Sequence, residues 1–370
     1  MQKGRFERPK RKPRAGKVIL TILIVVLLLG AALAAAGIYY YNSMLNRMNH
    51  VEVPKIQYTT VPTEAAATEA VETMEATEEA TVPTETVHVS SPEDYVNILV
   101  VGQAFRAGEE SHTADTMILV TLNKYEKTIS TTSILRNTKV QQGGVYKGHT
   151  YGGGMINDMY NMGHTWGGAG DAMAVMNQIL YDNFGIEVDH NIEVNFQTVV
   201  ESINLMGGVR IDLTEAEAEY LNGEYKNTRQ KVEPGENLLW GSTALAYARM
   251  RKAAGDNDSD IVRTERQRKM VAAVLDRLKT RSLSKLQEIA NECLPYVTTS
   301  MTNEEITDML LMVLPMITEL EIVNSGTCPA SYKGKEGDLY KNGQILSYLE
   351  FNVNETKKAM RAITEGEIAE

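Results

Sequence analysis

The sequence predicts a mixed α/β domain, with a central mixed sheet and helices on both faces, preceded by one transmembrane helix and a disordered stalk. Three observations predict it. An uncharged apolar run, Val18 to Tyr41, follows a basic tail. A segment rich in Thr, Glu, Ala and Pro separates that run from the remainder. Beyond it, short apolar runs alternate with longer segments whose apolar residues recur at helical spacing.

Residues 1–17 carry eight Lys or Arg against one acid, Glu7, and read as a cytoplasmic basic tail. At about 1.5 Å per residue, residues 18–41 are long enough to cross a bilayer core of about 30 Å. Tyr39, Tyr40 and Tyr41 stand where an interfacial aromatic belt belongs. Ala32 to Ala36 offers small residues for a signal peptidase, but the apolar run exceeds the roughly 7 to 15 residues usual for a cleaved signal. An uncleaved anchor is therefore expected, with a single pass through the cytoplasmic membrane, the N-terminus inside and the globular domain outside. Residues 42–92 read as the stalk. From about Pro54 they run in near-repeats such as Thr63-Glu64-Ala65 and Glu75-Ala76-Thr77-Glu78, too polar to bury a core.

Charge divides with this layout. The chain has 370 residues, 37 bases and 48 acids; without the tail, 29 bases face 47 acids, a net charge of −18. Nucleic acid is excluded as an expected partner, and topology with anionic lipid accounts for the tail.

The globular part is expected over residues 93–282, with 283–370 as its C-terminal part or a small appended subdomain. Val96–Val101, Met117–Leu122 and Thr128–Leu135 read as strands. A helix around Asp171–Asn183, a strand Asn191–Asn195, a helix Thr198–Met206 ended by Gly207-Gly208 and a strand Val209–Leu213 follow. Glu304–Thr318 reads as a helix capped by Thr302 or Asn303 and kinked near Pro315.

The densest chemistry is Tyr247-Ala-Arg249-Met-Arg251-Lys252 followed by Asp260-Ile-Val-Arg263-Thr-Glu-Arg266-Gln267-Arg268-Lys269. On a helix, Arg263 and Gln267 stand one turn apart on a row that continues through Val271 and Leu275, and Arg266 heads the row through Met270, Val274 and Leu278. Those apolar rows mark the buried side, so the arginines at their N-terminal end face inward. A guanidinium there requires an anion. Spacing alone leaves two choices open, a ligand phosphate or the carboxylates of Asp256, Asp258 and Asp260. Arg268 and Lys269 fall on other rows and are expected in solvent.

Other residues carry less. His112, His149, His164 and His190 lack metal-ligand spacing. Gly152-Gly153-Gly154 and Gly167-Gly168-Ala-Gly170 read as turns, since no Gly-x4-Gly-Lys-Ser/Thr occurs. There is no Gly-x-Ser-x-Gly nucleophile elbow. Cys293 and Cys328 lie in the outer domain, as one disulfide or as two thiols.

Several segments together resemble one known family, the LytR-CpsA-Psr proteins of bacterial envelopes. Asn97-Ile-Leu-Val-Val-Gly102 is similar to its opening strand, Ala114-Asp115-Thr116-Met117 to its next motif, and Ser133-Ile-Leu-Arg136-Asn137-Thr138 to its arginine strand end. Leu205-Met-Gly207-Gly208-Val209, Ala244 to Arg251 and Asp260 to Arg268 resemble its signatures almost residue for residue. The resemblance implies transfer of a glycopolymer from a polyprenyl-pyrophosphate carrier to peptidoglycan at the outer face of the cytoplasmic membrane. It implies catalytic roles for Arg136, Arg263 and Arg266, substrate binding by Arg106, Arg249, Arg251 and Gln267, and a Mg²⁺ ion held by Asp115. Arg249 and Arg251 face the same way only in extended chain.

Three positions depart from the family pattern. Ala104, Asn137 and Met155 stand where Asp, an acid and Lys are expected. Glu109, Glu110 or Asp158 are candidate replacements for the first, and Lys147 for the last. The departures keep two other functions in view: a non-catalytic polyprenyl-phosphate binding or regulatory protein, and a lipid pyrophosphatase.

Overall fold

A computed structural model describes residues 37, 39–54, 91–103, 112–223, 230–250, 260–316, 319–341 and 344–366. The chain divides into two compact units, Met1–Arg47 and Met48–Glu370. In the first, residues 39–45 are helical. The expected membrane span lies almost wholly outside the described residues, as does most of the expected stalk. No helix among the described residues is long and apolar enough to cross a membrane.

The second unit is built on a seven-stranded mixed sheet. Its strands are β1 (Asn49–His50), β2 (Tyr95–Gln103), β3 (Ala114–Asn123), β4 (Thr128–Ile134), β7 (His190–Asn195), β10 (Val297–Thr299) and β11 (Glu321–Cys328). They lie in the order β1-β10-β7-β2-β3-β4-β11. β2–β3–β4 is an antiparallel meander, whereas β7 runs parallel to β2 and β11 parallel to β4. The three expected strands of the meander are present, each within a few residues of its predicted limits. β5 (Gly144–Tyr146) pairs with β6 (His149–Tyr151), β8 (Val209–Leu213) with β9 (Gly235–Leu239), and β12 (Lys333–Lys341) with β13 (Gln344–Glu350), as three separate ribbons.

The helices are α1 (Ile156–Gly167), α2 (Ala169–Phe184), α3 (Phe196–Leu205), α4 (Glu215–Gly223), α5 (Gly241–Arg249), α6 (Asp260–Lys279), α7 (Leu283–Cys293), α8 (Asn303–Val313) and α9 (Val353–Thr364). α1, α2 and α9 close one core over Leu99, Val101, Met117 and Leu119 of the sheet. In α2 the residues Ala172, Met173, Val175, Met176, Ile179 and Leu180 are all fully buried. That helix stops where Gly185 takes the left-handed conformation at φ +68°. A second core joins α3, α4, α5, α6 and α7 to the β8–β9 ribbon. Helices therefore cover both faces, as the alternation of segments predicts.

Two expectations need correction. Residues 49 and 50 fall in the expected stalk, yet they pair with Thr298 and Thr299 as the sheet edge, and Val51 and Val53 pack on the first core. Two strand residues are too few to show a period. β8 is a strand with its expected limits, paired with β9 in a ribbon of its own. α8 has the expected Thr302 cap, with Glu305 closing a capping box, but it ends at Val313 and passes into a 3₁₀ turn over Leu314–Met316, because Pro315 cannot donate to a continuing α-helix. β10 and β11 from the C-terminal stretch belong to the main sheet, which agrees with the first of the two alternatives for residues 283–370, the C-terminal part of the same domain. Cys293 and Cys328 are free and buried in different cores.

Candidate functional site

A cleft of about 330 Å³ opens at the end of the sheet, lined by Asp115, Thr116, Phe196, Tyr220, Arg249, Arg263 and Gln267. Gly102, near the end of β2, makes its floor possible: a Cβ there would stand 3.1 Å from Thr116 Cβ and 3.8 Å from the Phe196 ring. One residue on, the β2–β3 ladder slips, with Gly102 opposite Thr116 but Gln103 opposite Ala114. Asp115 is the extra residue of this bulge, the kind of irregularity that re-aims a side chain. Its Oδ1 accepts a hydrogen bond from Arg136 Nη1 at 2.9 Å. Arg136 lies just past β4, and its carbonyl accepts the amide of Asn157 at 3.2 Å, which ties the first turn of α1 to the site.

The opposite wall is helical. Arg263 and Gln267 line the cleft from successive turns of α6, as their spacing predicts, and are 4% and 6% exposed. Arg249 is the last residue of α5, where the helix dipole favours a cation. Its guanidinium carbon lies 5.0 Å from the centre of the Phe196 ring, which orients the fork. Extended chain at Arg249 is thus ruled out, while Arg251 and Arg106 lie outside the described residues. Arg249 and Arg263 contribute two fixed positive charges, and Asp115, the only carboxylate among the described residues that line the cleft, is already neutralised by Arg136. Net positive charge on converging guanidinium forks is what a multivalent oxyanion requires.

Arg266, for which the resemblance implies a catalytic role, is not among the residues that line the cleft. Its Nε donates to Glu217 Oε1 at 2.8 Å and its Nη1 to the Met250 carbonyl at 3.2 Å. The two side chains of the ion pair are 4% and 9% exposed. Glu217 Oε2 also accepts the Thr214 amide, so this joint locks together α4, the end of α5 and α6, which carry Tyr220, Arg249 and Arg263. This carboxylate comes from α4, and nothing in local spacing links it to Arg266. Burial, and then the Glu217 charge, push the Tyr247 hydroxyl's pKa upward.

Arg268 departs further from expectation. It is 6% exposed, because the face of α6 expected in solvent lies against β4, and its Nη1 donates to Ser133 Oγ at 2.8 Å. Lys269 is exposed and pairs with Glu265 at 3.0 Å, as expected of a solvated residue. Lys147 does not stand in for a lysine at the cleft: its ammonium is held by both oxygens of Asp171, at 2.8 and 2.9 Å. Met155 takes the cap position of α1, and the buried Asn137 Oδ1 has no hydrogen-bond partner among the described residues. Ala104, Glu109, Glu110, Asp256 and Asp258 lie outside the described residues, and Asp158 is absent from the cleft lining. The glycine triplet is a turn, with Gly152 and Gly153 at positive φ, whereas in the second run only Gly168, also at positive φ, stands between helices, Gly167 ending α1 and Gly170 lying in α2. Phe196, Tyr220 and Glu217 carry no local signal and emerge only from packing.

Beside the cleft, Gln103 Nε2 donates to Glu193 Oε2 at 2.8 Å, and Tyr160 donates to the same oxygen at 2.6 Å. The His112 and His164 rings stack at 3.4 Å. Burial, then His112, lowers the pKa of His164. As pH falls below about 6.5, the unfolded chain takes up this proton before the folded one. Stability from His164 is therefore full above that pH and is lost as pH falls toward the depressed folded value. His164→Gln should show a smaller drop in melting temperature between pH 7.5 and pH 5.5 than the unsubstituted chain; equal drops would refute the assignment.

The model of the LytR_cpsA_psr family matches residues 59–361. The chain belongs to this family. Among relatives, this LytR-CpsA-Psr chain is 33% identical over 175 residues to polyisoprenyl-teichoic acid–peptidoglycan teichoic acid transferase TagT of Bacillus subtilis (strain 168), a match covering 47% of this chain and 48% of the relative. It is 31% identical over 197 residues to biofilm regulatory protein A of Streptococcus mutans, covering 51% and 44%. The chain spans about half the length of the curated relatives it matches. Two solved structures share its fold. One is TagT bound to LIIa-WTA, at TM-score 0.53 and 23% identity over 75% of this chain and 93% of that one. The other is TagT with bound octaprenyl pyrophosphate lipid, at TM-score 0.50 and 21% identity over 75% and 93%.

Proposed function

We propose that this LytR-CpsA-Psr protein transfers a glycopolymer from a polyprenyl-pyrophosphate carrier to peptidoglycan, at the outer face of the cytoplasmic membrane. The observation that carries the reading is the cleft, where Arg249, Arg263 and Gln267 face the Asp115–Arg136 pair. That arrangement suits a pyrophosphate with charge spread over several oxygens. The transferase name of the Bacillus relative and the octaprenyl pyrophosphate held by a protein of the same fold support the same substrate class. In the reaction, an acceptor hydroxyl forms a new O–P bond to the glycan-bearing phosphorus. The bridging P–O bond breaks, polyprenyl phosphate leaves with the electron pair, and the proton of the acceptor hydroxyl passes to solvent. Arg249 and Arg263 hold the phosphoryl oxygens and Gln267 orients them.

The donors at the cleft fit a Mg²⁺ ion that arrives with its substrate. Such ions are usually held by one or two carboxylates plus phosphate oxygens and water, and Asp115, 30% exposed and aimed by the bulge, supplies one. When bound, the ion supplies charge neutralisation. Asp115→Asn should lower turnover by about 10²-fold or more and abolish stimulation by Mg²⁺; a variant that keeps its Mg²⁺ response would remove Asp115 from this role. The sequence supports the anchor: residues 1–17 inside, residues 18–41 across the membrane, and the cleft held outside it.

Asn137 and Met155 favour a second reading, polyprenyl-phosphate binding without turnover, because each lacks the charge of the expected residue. One experiment separates the two. The full chain is incubated with a polyprenyl-pyrophosphate oligosaccharide, with and without Mg²⁺ and peptidoglycan, and products are identified by mass. Glycan attached to peptidoglycan only when the acceptor is present supports transfer, whereas tight binding with no product sinks it. Release of polyprenyl phosphate without acceptor would identify a pyrophosphatase instead.

A further inference from the structure

Arg268 is a buried cation that the cleft lining does not include. Among the described residues no carboxylate forms an ion pair with it, its one hydrogen-bond partner is the neutral hydroxyl of Ser133, and its Nε has no partner; the Glu265 charge acts on it only through space, that carboxylate being paired with Lys269. A buried guanidinium normally comes with an anion, because desolvation penalises the charge and the group cannot lose its proton. Its place in the fold indicates what it serves. Ser133 pairs with Ile118 across β4 and β3, and Ile118 follows Thr116 on the same face of β3, about 7 Å along the strand. Thr116 lines the cleft. The Ser133–Arg268 contact therefore lies one side-chain layer beneath the cleft floor, and Gln267, the residue next to Arg268, lines the wall.

We propose that Arg268 is a positioning residue of the cleft, a fixed positive charge beneath its floor that strengthens binding of a diphosphate above it. It touches no substrate; it acts through the field it adds across the low-dielectric layer of Thr116 and Ile118 and through its hold on Ser133. The proposal rests on the anion reading of the cleft given above. It also accounts for a buried charge with which no carboxylate among the described residues forms an ion pair: the ligand supplies the counterion. In the absence of ligand the charge destabilises the fold, since replacing a buried charge by an apolar side chain of similar volume is often neutral or stabilising.

The test measures inorganic pyrophosphate binding by titration calorimetry, together with melting temperature, for the full chain and three variants. Arg268→Met should melt at the same or a higher temperature yet bind pyrophosphate about tenfold more weakly, the effect of removing one charge roughly 10 Å away at an effective dielectric near 20. Arg268→Lys, which keeps the charge, should stay within about threefold of the original affinity on the same scale. Lys269→Met, which removes an exposed charge one residue away, should change affinity by about twofold at most. Unchanged affinity in Arg268→Met overturns the proposal and leaves the cleft reading standing, as does equal weakening in the Met and Lys variants. Failure of the unsubstituted chain to bind pyrophosphate would overturn the cleft reading and this proposal together.

Discussion

Arg263→Ala is expected to lower transferase turnover by about 10³-fold while leaving the domain folded, the range seen when a fixed guanidinium is removed from a phosphoryl-transfer site. Arg263 lines the cleft from the first turns of α6 and is 4% exposed, so its fork is held where water cannot screen it and its field falls on the bound phosphates. A charge that stabilises the transition state more than the ground state shows in kcat rather than in KM. Steady-state kinetics with a polyprenyl-pyrophosphate oligosaccharide and peptidoglycan would read the split. Loss confined to KM would make Arg263 a uniform binder. Unaltered kinetics would remove it from the site.

The second large effect falls on stability. Glu217→Ala leaves the Arg266 guanidinium buried without its carboxylate, and breaking such a pair from one side costs about 3–5 kcal/mol. A drop in melting temperature of roughly 5–15 °C is expected for a domain of this size. Removing both partners is a different perturbation. The double variant Glu217→Leu/Arg266→Met replaces the pair with apolar groups and should recover most of the lost stability. Its activity then decides what Arg266 does. The joint of α4, α5 and α6 that the structure shows predicts that a refolded double variant keeps most of its turnover. A stable but inactive protein would return Arg266 to the catalytic role implied by the family resemblance.

These two arginines mark how far local pattern reaches. Arg263 and Gln267 were legible because i and i+4 on a helix share a face, a relation fixed by backbone geometry alone. Arg266 was legible as inward-facing, but its partner lies 49 residues away in sequence, and no periodicity encodes that distance. Arg268 was misread. The apolar rows pointed elsewhere, and only the packing of β4 on α6 turned its side into an interior. Lys147 failed likewise, since proximity in sequence to Met155 did not prevent Asp171 from taking its charge.

The same division runs through the fold. Strands β2, β3 and β4 and helix α2 were readable because apolar content, β-branching and a terminal glycine act within a few residues. The edge strand at Asn49–His50 and the entry of β10 and β11 into the main sheet were not, because those segments are ordered by hydrogen bonds to distant strands rather than by their own composition. By itself the sequence determined the α/β class, the inward arginine face and the family. Tertiary structure alone decided which guanidinium meets an open cleft, which meets Glu217 and which lies beneath the floor. The reason is that a buried charge takes its role from what packs against it, and that neighbour is a property of the fold rather than of the segment.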